Sequence, residues 1–451
     1  MRLALQDPLA ALAAASPPVG AADIVSVHAF TTRLGMELIP DAIARYDASV
    51  RRGTYRYEIK VEQRDIPPAD IYGSSVPASA YPNVASFIRG SVVVPRMLGD
   101  DVRLRAEWDT VAETVDVPFL MSIPRQGTSY PVAVQIAGFG RSSLDARSLA
   151  NVMAGGPRGS VLAIELRCHG RRSPDVNGVC VDNRTAAEAA SLLDQASNNG
   201  NPEFAASAAD GIPDNSGVGY FPGDPRKLRD SQLAAIIEVM HVFASLRDAT
   251  AWTGENIPVD RFGIHGLAQG YASLPAAAAA GFIDDQRRIR TLQFLAGGAD
   301  LAELILEGGM AQRAQFNDEL PGGIGEAQAA TLLARLGDYL APIQMPAYSS
   351  RLTGMGTGRF RNPTGQLRGL LLAHPSPGQQ GVTQYASPAA RNALVSALGL
   401  PTNLVSQHRA RCDHYFIYTC QLGQEGVIFE QAQAQITGFI NSNGVTFPGP
   451  G

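Results

Sequence analysis

Five short apolar runs, each closed by a glycine-bearing turn and separated by stretches of helical character, constrain the fold of this chain most. They are residues 131–137 (PVAVQIA), 160–166 (SVLAIEL), 261–265 (RFGIH), 291–296 (TLQFLA) and 368–373 (RGLLLA). Nearly continuous apolar runs are strands covered on both faces, and helices between them make βα units. The expected class is therefore α/β, with a mostly parallel central sheet flanked by helices. The best helical stretch is 224–247. Asp224 can cap it, Pro225 suits its first turn, and Leu233, Ile236, Ile237, Met240, Phe243 and Leu246 form one apolar stripe. Residues 424–441 read as a final helix.

The first 124 residues differ in character. Residues 54–62 (TYRYEIKVE) alternate, with Tyr55, Tyr57, Ile59 and Val61 on one side, which predicts a half-buried strand. Residues 86–94 and 115–123 are further strand candidates, and 63–84 reads as a loop. The expected organisation is a β-rich region over 1–124 and a catalytic domain over 125–451. Two insertions interrupt that domain, at about 171–223 and 302–365, and both read as cap or lid elements shaping the mouth of a site. Residues 1–16 carry an early Arg and an Ala-rich stretch broken by Gln6, Asp7 and Pro8, so a short helix is expected there rather than a secretory signal. No run approaches the roughly 20 apolar residues that span a bilayer.

Composition removes one further class. The chain has 451 residues, with 37 basic against 42 acidic and a net charge of −5. Nucleic-acid binding needs clustered Lys and Arg, so a polyanion partner is not expected. Cys168, Cys180, Cys412 and Cys420 form two local pairs whose spacings suit two disulfides in an oxidising compartment. Four buried thiols are the alternative. A zinc site is not expected, because no C-x-x-C knuckle is present.

The chemistry centres on the strand that ends at His265. It runs into Gly266-Leu267-Ala268-Gln269-Gly270 and then a small-residue segment. This is the frame of a nucleophile elbow, G-x-S-x-G, with alanine in the serine position. A tight strand-to-helix turn there holds the central residue in strained backbone geometry and exposes it beside backbone N–H groups that stabilise an oxyanion.

Gln135 to Gly140 (QIAGFG), Ile164 to Gly170 (IELRCHG) and residues 261–270 together resemble the α/β-hydrolase fold of bacterial extracellular lipases and esterases. Phe30-Thr31-Thr32 and Gly90 to Pro95 resemble the β-rich leader of the virulence-factor lipases. The resemblance implies a site, position by position. Ala268 takes the nucleophile's place. The backbone N–H groups of Gln269 and Phe139 would form the oxyanion hole, and His414 would be the base. The family's usual acid position falls on Gln379 or Gln380. Asp300, after the preceding strand, is therefore assigned as the acid, with Glu303 behind it. His169 and His265, near strand ends, read as structural.

The expected reaction is hydrolysis of a carboxylic ester, small or polymeric, through a serine acyl-enzyme. It needs neither metal nor cofactor. An alanine methyl cannot attack a carbonyl, which leaves two readings. Either a working serine hydrolase has been changed to a nucleophile knockout, or this is a natural pseudoenzyme that binds a ligand or partner in the old cleft. The resemblance and the cysteine pairs imply a secreted or periplasmic protein.

Overall fold

The computed structural model describes residues 45–46, 48–105, 113–136, 141–175, 177, 179–198, 217, 219–248, 250–252, 257–269, 289–295, 368–373, 405–407 and 424–442, with isolated positions 272, 316, 317, 320, 325 and 328. The expected N-terminal helix, Cys412, Cys420 and most of the second insertion lie outside these residues.

One sheet organises the chain. Its strands are β1 (Glu58–Ile66), β2 (Val84–Pro95), β3 (Thr114–Pro124), β4 (Tyr130–Ile136), β5 (Ser160–Ile164), β6 (Val259–Gln269), β7 (Thr291–Leu295), β8 (Arg368–Ala373) and β9 (Val405–Gln407). They lie in the order β1-β2-β3-β5-β4-β6-β7-β8-β9. From β1 to β3 and on to β5 the pairing is antiparallel; from β5 through β4 to β9 every pair is parallel. The β-rich segment thus supplies antiparallel strands to the same sheet as the βα units. All five apolar runs are strands in it. The alternating segment is also a strand, displaced toward the C-terminus: it begins at Glu58 and continues through two irregularities to pair Ile66 with Phe87. Tyr55 lies just before it and donates its hydroxyl to the Val93 carbonyl at 3.2 Å.

Helices cover both faces. Among those described are α1 (Pro68–Tyr72), α2 (Ala146–Gly155), α3 (Ala186–Asn198), α4 (Pro225–Arg247) and α5 (Gln424–Asn441). The apolar stripe expected of α4 is buried, and Asp224 caps it by accepting from the Arg226 N–H at 2.8 Å. This stripe packs with Val132, Val134, Ile136, Ile264, Leu292 and Phe294, the residues that the alternating strands turn to that face. The opposite residues, among them Ala133, Ala163, Leu267 and Leu295, pack with Leu149 and Met153 of α2 and with Ile436, Phe439 and Ile440 of α5. Strands β4, β5 and β7 are therefore covered on both sides, which is why their sequences read as nearly continuous apolar runs.

The antiparallel end is tight at Gly90. A Cβ there would meet the Lys60 carbonyl oxygen and lie 2.8 Å from Phe119 Cζ. Gly90→Ala is expected to cost about 3 kcal/mol, because backbone must move to admit the methyl. Urea unfolding checks this: the midpoint should fall with an unchanged slope. Wild-type stability would contradict the close approach of β1, β2 and β3.

Candidate active site

The strand order defines a topological switch point. After β4 the chain crosses to β5 on one side, then returns past β4 to form β6 on the other. Neighbouring loops diverge at such a switch point, and ligands of open parallel sheets bind there, outside the carboxyl ends of the strands. The two strands flanking this point are β4 and β6. Their last rows pair Gln135 with Leu267 and Ile136 with Ala268, and Ala268 pairs on its other side with Phe294 of β7.

Ala268 and Gln269 are the last two residues of β6, and Gln269 pairs with Leu295. The position expected to hold the nucleophile therefore lies at the carboxyl edge of a central strand, beside the switch point. Its backbone differs from the strained turn expected. The described non-glycine residues with positive φ are Asp65, Val102, Arg158 and Cys168. Ala268 instead continues the ladder between two partner strands. It is 0% exposed, and its methyl belongs to the apolar cluster on the α4 side. Phe139, Asp300 and His414 lie outside the described residues, as do His374, Gln379 and Gln380. In sequence, Phe139 follows the end of β4, Asp300 that of β7, His374 that of β8 and His414 that of β9.

His169 and His265 are structural, as expected. The His265 Nδ1 lies 2.8 Å from Thr291 Oγ1, and the His169 Nδ1 lies 2.9 Å from the Arg167 carbonyl oxygen. Burial pulls His169 down to about 4, the hydrogen bond to Arg167 opposing it only in part. Burial, aided by the charge of Arg290, pulls His265 down to about 3. Both rings are neutral at pH 7 in the folded protein, whereas in the unfolded chain they protonate near 6.5. Between those values the unfolded state holds more protons. The stabilisation is thus complete above about pH 6.5 and is lost as pH falls toward the folded values. Unfolding free energy is expected to drop by roughly 3 kcal/mol from pH 7 to pH 5, and His265→Gln should flatten about half of that slope. Urea titrations at the two pH values measure both, and a flat profile in the wild type would refute the buried neutral rings.

The segment after β5 holds groups that the sequence reading did not single out. Glu165, 4% exposed, accepts from Ser143 Oγ at 2.6 Å, the Ser143 N–H at 3.3 Å and the Arg171 N–H at 2.8 Å. Arg172, 1% exposed, forms a two-pronged pair with Glu238 of α4 at 2.8 Å on each arm, and reaches Asp182 at 2.9 Å. Burial opposes the charge of this guanidinium, but Glu238 and Asp182 outweigh it and hold its pKa above the ordinary value. Burial likewise opposes ionisation of Asp182, and Arg172 and Arg167 reverse that, so its carboxyl lies below the usual range. Arg171 pairs with Glu62 and donates to the Gly90 carbonyl at 2.9 Å. The Cys168–Cys180 disulfide closes the same segment. At the start of the expected first insertion, Arg171 to Pro174 are buried. The signal in the sequence is three arginines, Arg167, Arg171 and Arg172, within eight residues of the end of a parallel strand in a chain of low charge.

Strand order, strand direction and helices on both faces define an α/β-hydrolase fold, an eight-strand pattern extended at one edge by β1. No family model matches the chain, and no curated protein does. Among solved structures, acetyl xylan esterase 1 from Thermoanaerobacterium sp. is similar, with 11% identity over 89% of this chain and 93% of that one and a TM-score of 0.46. An acetyl xylan esterase from a Paenibacillus species has 14% identity over 92% of this chain and 96% of that one, also at 0.46. An esterase from Pyrobaculum calidifontis has 15% identity over 73% and 82%, at 0.37. All three scores lie below 0.5, and the fold assignment rests on the strand order. Among the described residues no group of His, Cys, Asp and Glu is placed to hold a metal ion, and no helix is long and apolar enough to cross a membrane.

Proposed function

We propose that this chain carries the site of a serine-type carboxylic ester hydrolase, of the bacterial extracellular lipase/esterase type, with alanine where the nucleophilic serine belongs. One observation carries the reading: Ala268 stands at the carboxyl end of β6, at the switch point beside β4. A serine there would attack the ester carbonyl. His414 would take its proton and pass it to the leaving alcohol, and Asp300 would orient the imidazole. The N–H groups of Gln269 and Phe139 would face the oxyanion. The Cys168–Cys180 bridge supports a life in an oxidising compartment, outside the cytoplasm.

A second reading has its own support. The methyl of Ala268 is buried among apolar side chains of the α4 face. That setting suits a residue selected as alanine, in a natural pseudoenzyme that keeps the crevice for binding. Ala268→Ser, assayed with p-nitrophenyl esters of short and long acyl chains, decides between them. No rate above that of the Ala268 chain at any acyl length would sink the hydrolase.

A further inference from the structure

We propose that the Cys168–Cys180 bridge is a thiol–disulfide exchange site that a dithiol opens, and that it latches the departing and returning ends of the first insertion together. Its two sulfurs are unequal. Cys168 is 0% exposed and Cys180 7%. Cys180 closes a turn that reaches solvent, in which Asp175 accepts from the N–H groups of Asn177 and Val179 at 2.9 and 3.0 Å, and Val179 is 39% exposed. Cys168 is flanked by the buried Arg167 and His169. An attacking thiolate therefore reaches Cys180 and expels Cys168.

A cation lies beside the leaving sulfur. Arg167 is 6% exposed, and its Nη1 donates to Cys168 Sγ at 3.8 Å. Among the described residues that is the only hydrogen bond its side chain donates; its Nε is buried without a partner, and the Asp182 carboxylate is 3.9 Å away. Burial pulls this guanidinium below its ordinary value, and Asp182 opposes that in part. The further charges acting on it are Arg172 and Arg96 against Glu238. A Cys168 thiolate gives the guanidinium a counter-charge at contact distance. An adjacent guanidinium favours a thiolate, and a more stable thiolate leaves faster.

The exchange balances. A dithiol, having given one proton to water, attacks Cys180 Sγ as a thiolate; the S–S bond breaks and Cys168 leaves as a thiolate beside Arg167. The dithiol's second thiol gives its proton to water and attacks the dithiol's own sulfur in the mixed disulfide, expelling Cys180, which takes up a proton. The dithiol leaves as a cyclic disulfide, oxidised by two electrons, and the bridge is reduced by two. What the bond holds is the base of the insertion. Cys168 and Cys180 bracket its start. Gly219, near its end, lies on the bond: a Cβ there would be 3.1 Å from Cys180 Sγ and 3.6 Å from Cys168 Sγ, and its φ is +84°. The next residue, Tyr220, sets its ring edge-on to His169, with centroids 5.3 Å apart. Parting the sulfurs frees the turn at Cys180 from Cys168 and removes the surface on which Gly219 rests.

Three measurements on the full chain test this, with peptide mapping to follow this pair of cysteines. Dithiothreitol should reduce the bridge about tenfold more slowly in Arg167→Met than in the parent, and Arg167→Lys should restore most of the rate. A merely structural arginine gives the opposite sign, because a loosened segment exposes the sulfurs and quickens attack. An equal or faster rate in Arg167→Met overturns the exchange site. If that variant does not fold, the parent chain decides: 2-mercaptoethanol should be trapped as a mixed disulfide on Cys180, with Cys168 open to alkylation. Capture mainly on Cys168 overturns the assignment of the leaving sulfur. The latch has its own readout. The amides of Val179, Val181 and Tyr220 are bonded to Asp175, Ser173 and Gly217. Their hydrogen exchange should quicken about tenfold on reduction, with β4 and β6 unaffected. Unchanged exchange in the reduced chain overturns the latch.

Discussion

Hydrolysis of short-chain p-nitrophenyl esters by Ala268→Ser is expected to exceed that of the Ala268 chain by about a thousandfold or more. Loss of a triad nucleophile typically removes on the order of a millionfold in turnover, so even partial recovery is large. Stability supplies an independent reading of the same variant. The Ala268 methyl is 0% exposed and packed on the α4 face. A hydroxyl that stays there without a partner costs about 1–3 kcal/mol, whereas one that turns into the crevice costs little. The hydrolase predicts activity with near-native stability. The pseudoenzyme predicts a lower urea midpoint and no activity.

Arg172→Met is expected to destabilise the protein by about 3–5 kcal/mol, because it leaves the buried carboxylate of Glu238 and the partly buried one of Asp182 without their main partner. Glu238→Leu should cost a similar amount by stranding the guanidinium. The double variant Arg172→Met with Glu238→Leu should recover much of either loss, since an apolar pair of similar volume often replaces a buried ion pair without penalty. Asp182 then retains the weaker pull of Arg167, 3.9 Å away, and of the charge on Arg96, so recovery is incomplete. Chemical unfolding of the four proteins forms a double-mutant cycle. Additive losses would show that the two side chains do not act as a pair.

How legible all this was in the sequence depends on whether the signal was local. Residues 368–373 and 424–441 became β8 and α5 with the expected bounds, because apolar runs and helical periods are written in neighbouring residues. The strand β9 has three residues and no pattern to find. Helix α3, inside the first expected cap or lid insertion, has a local sign: Thr185 and Glu188 form a reciprocal cap, the Thr185 N–H to Glu188 Oε2 at 2.7 Å and the Glu188 N–H to Thr185 Oγ1 at 3.2 Å. The burial of Arg171 and Arg172 is hard to read locally, because their partners are distant in sequence: Glu62 and Glu238 lie on other elements. Polarity alone says "surface" until a matching buried charge is known. At the site, the sequence ends the strand at His265 and puts Ala268 in the turn beyond it, whereas β6 runs on to Gln269. The extended backbone of Ala268 did not follow from the motif, since the ladder to Ile136 and Phe294 sets it.

Strand β1, the outermost member of the sheet, has one further consequence. Lys60, Glu62, Gln63, Arg64 and Asp65 are exposed along it, and two irregularities break its register with β2. A row of alternating charges on a bent edge resists the docking of a second strand. Concentrated solutions of this chain should therefore not grow end-to-end sheet assemblies through this side. Replacing Lys60, Glu62 and Arg64 with threonine or valine would create the flat, uncharged rim from which fibrillar aggregates start.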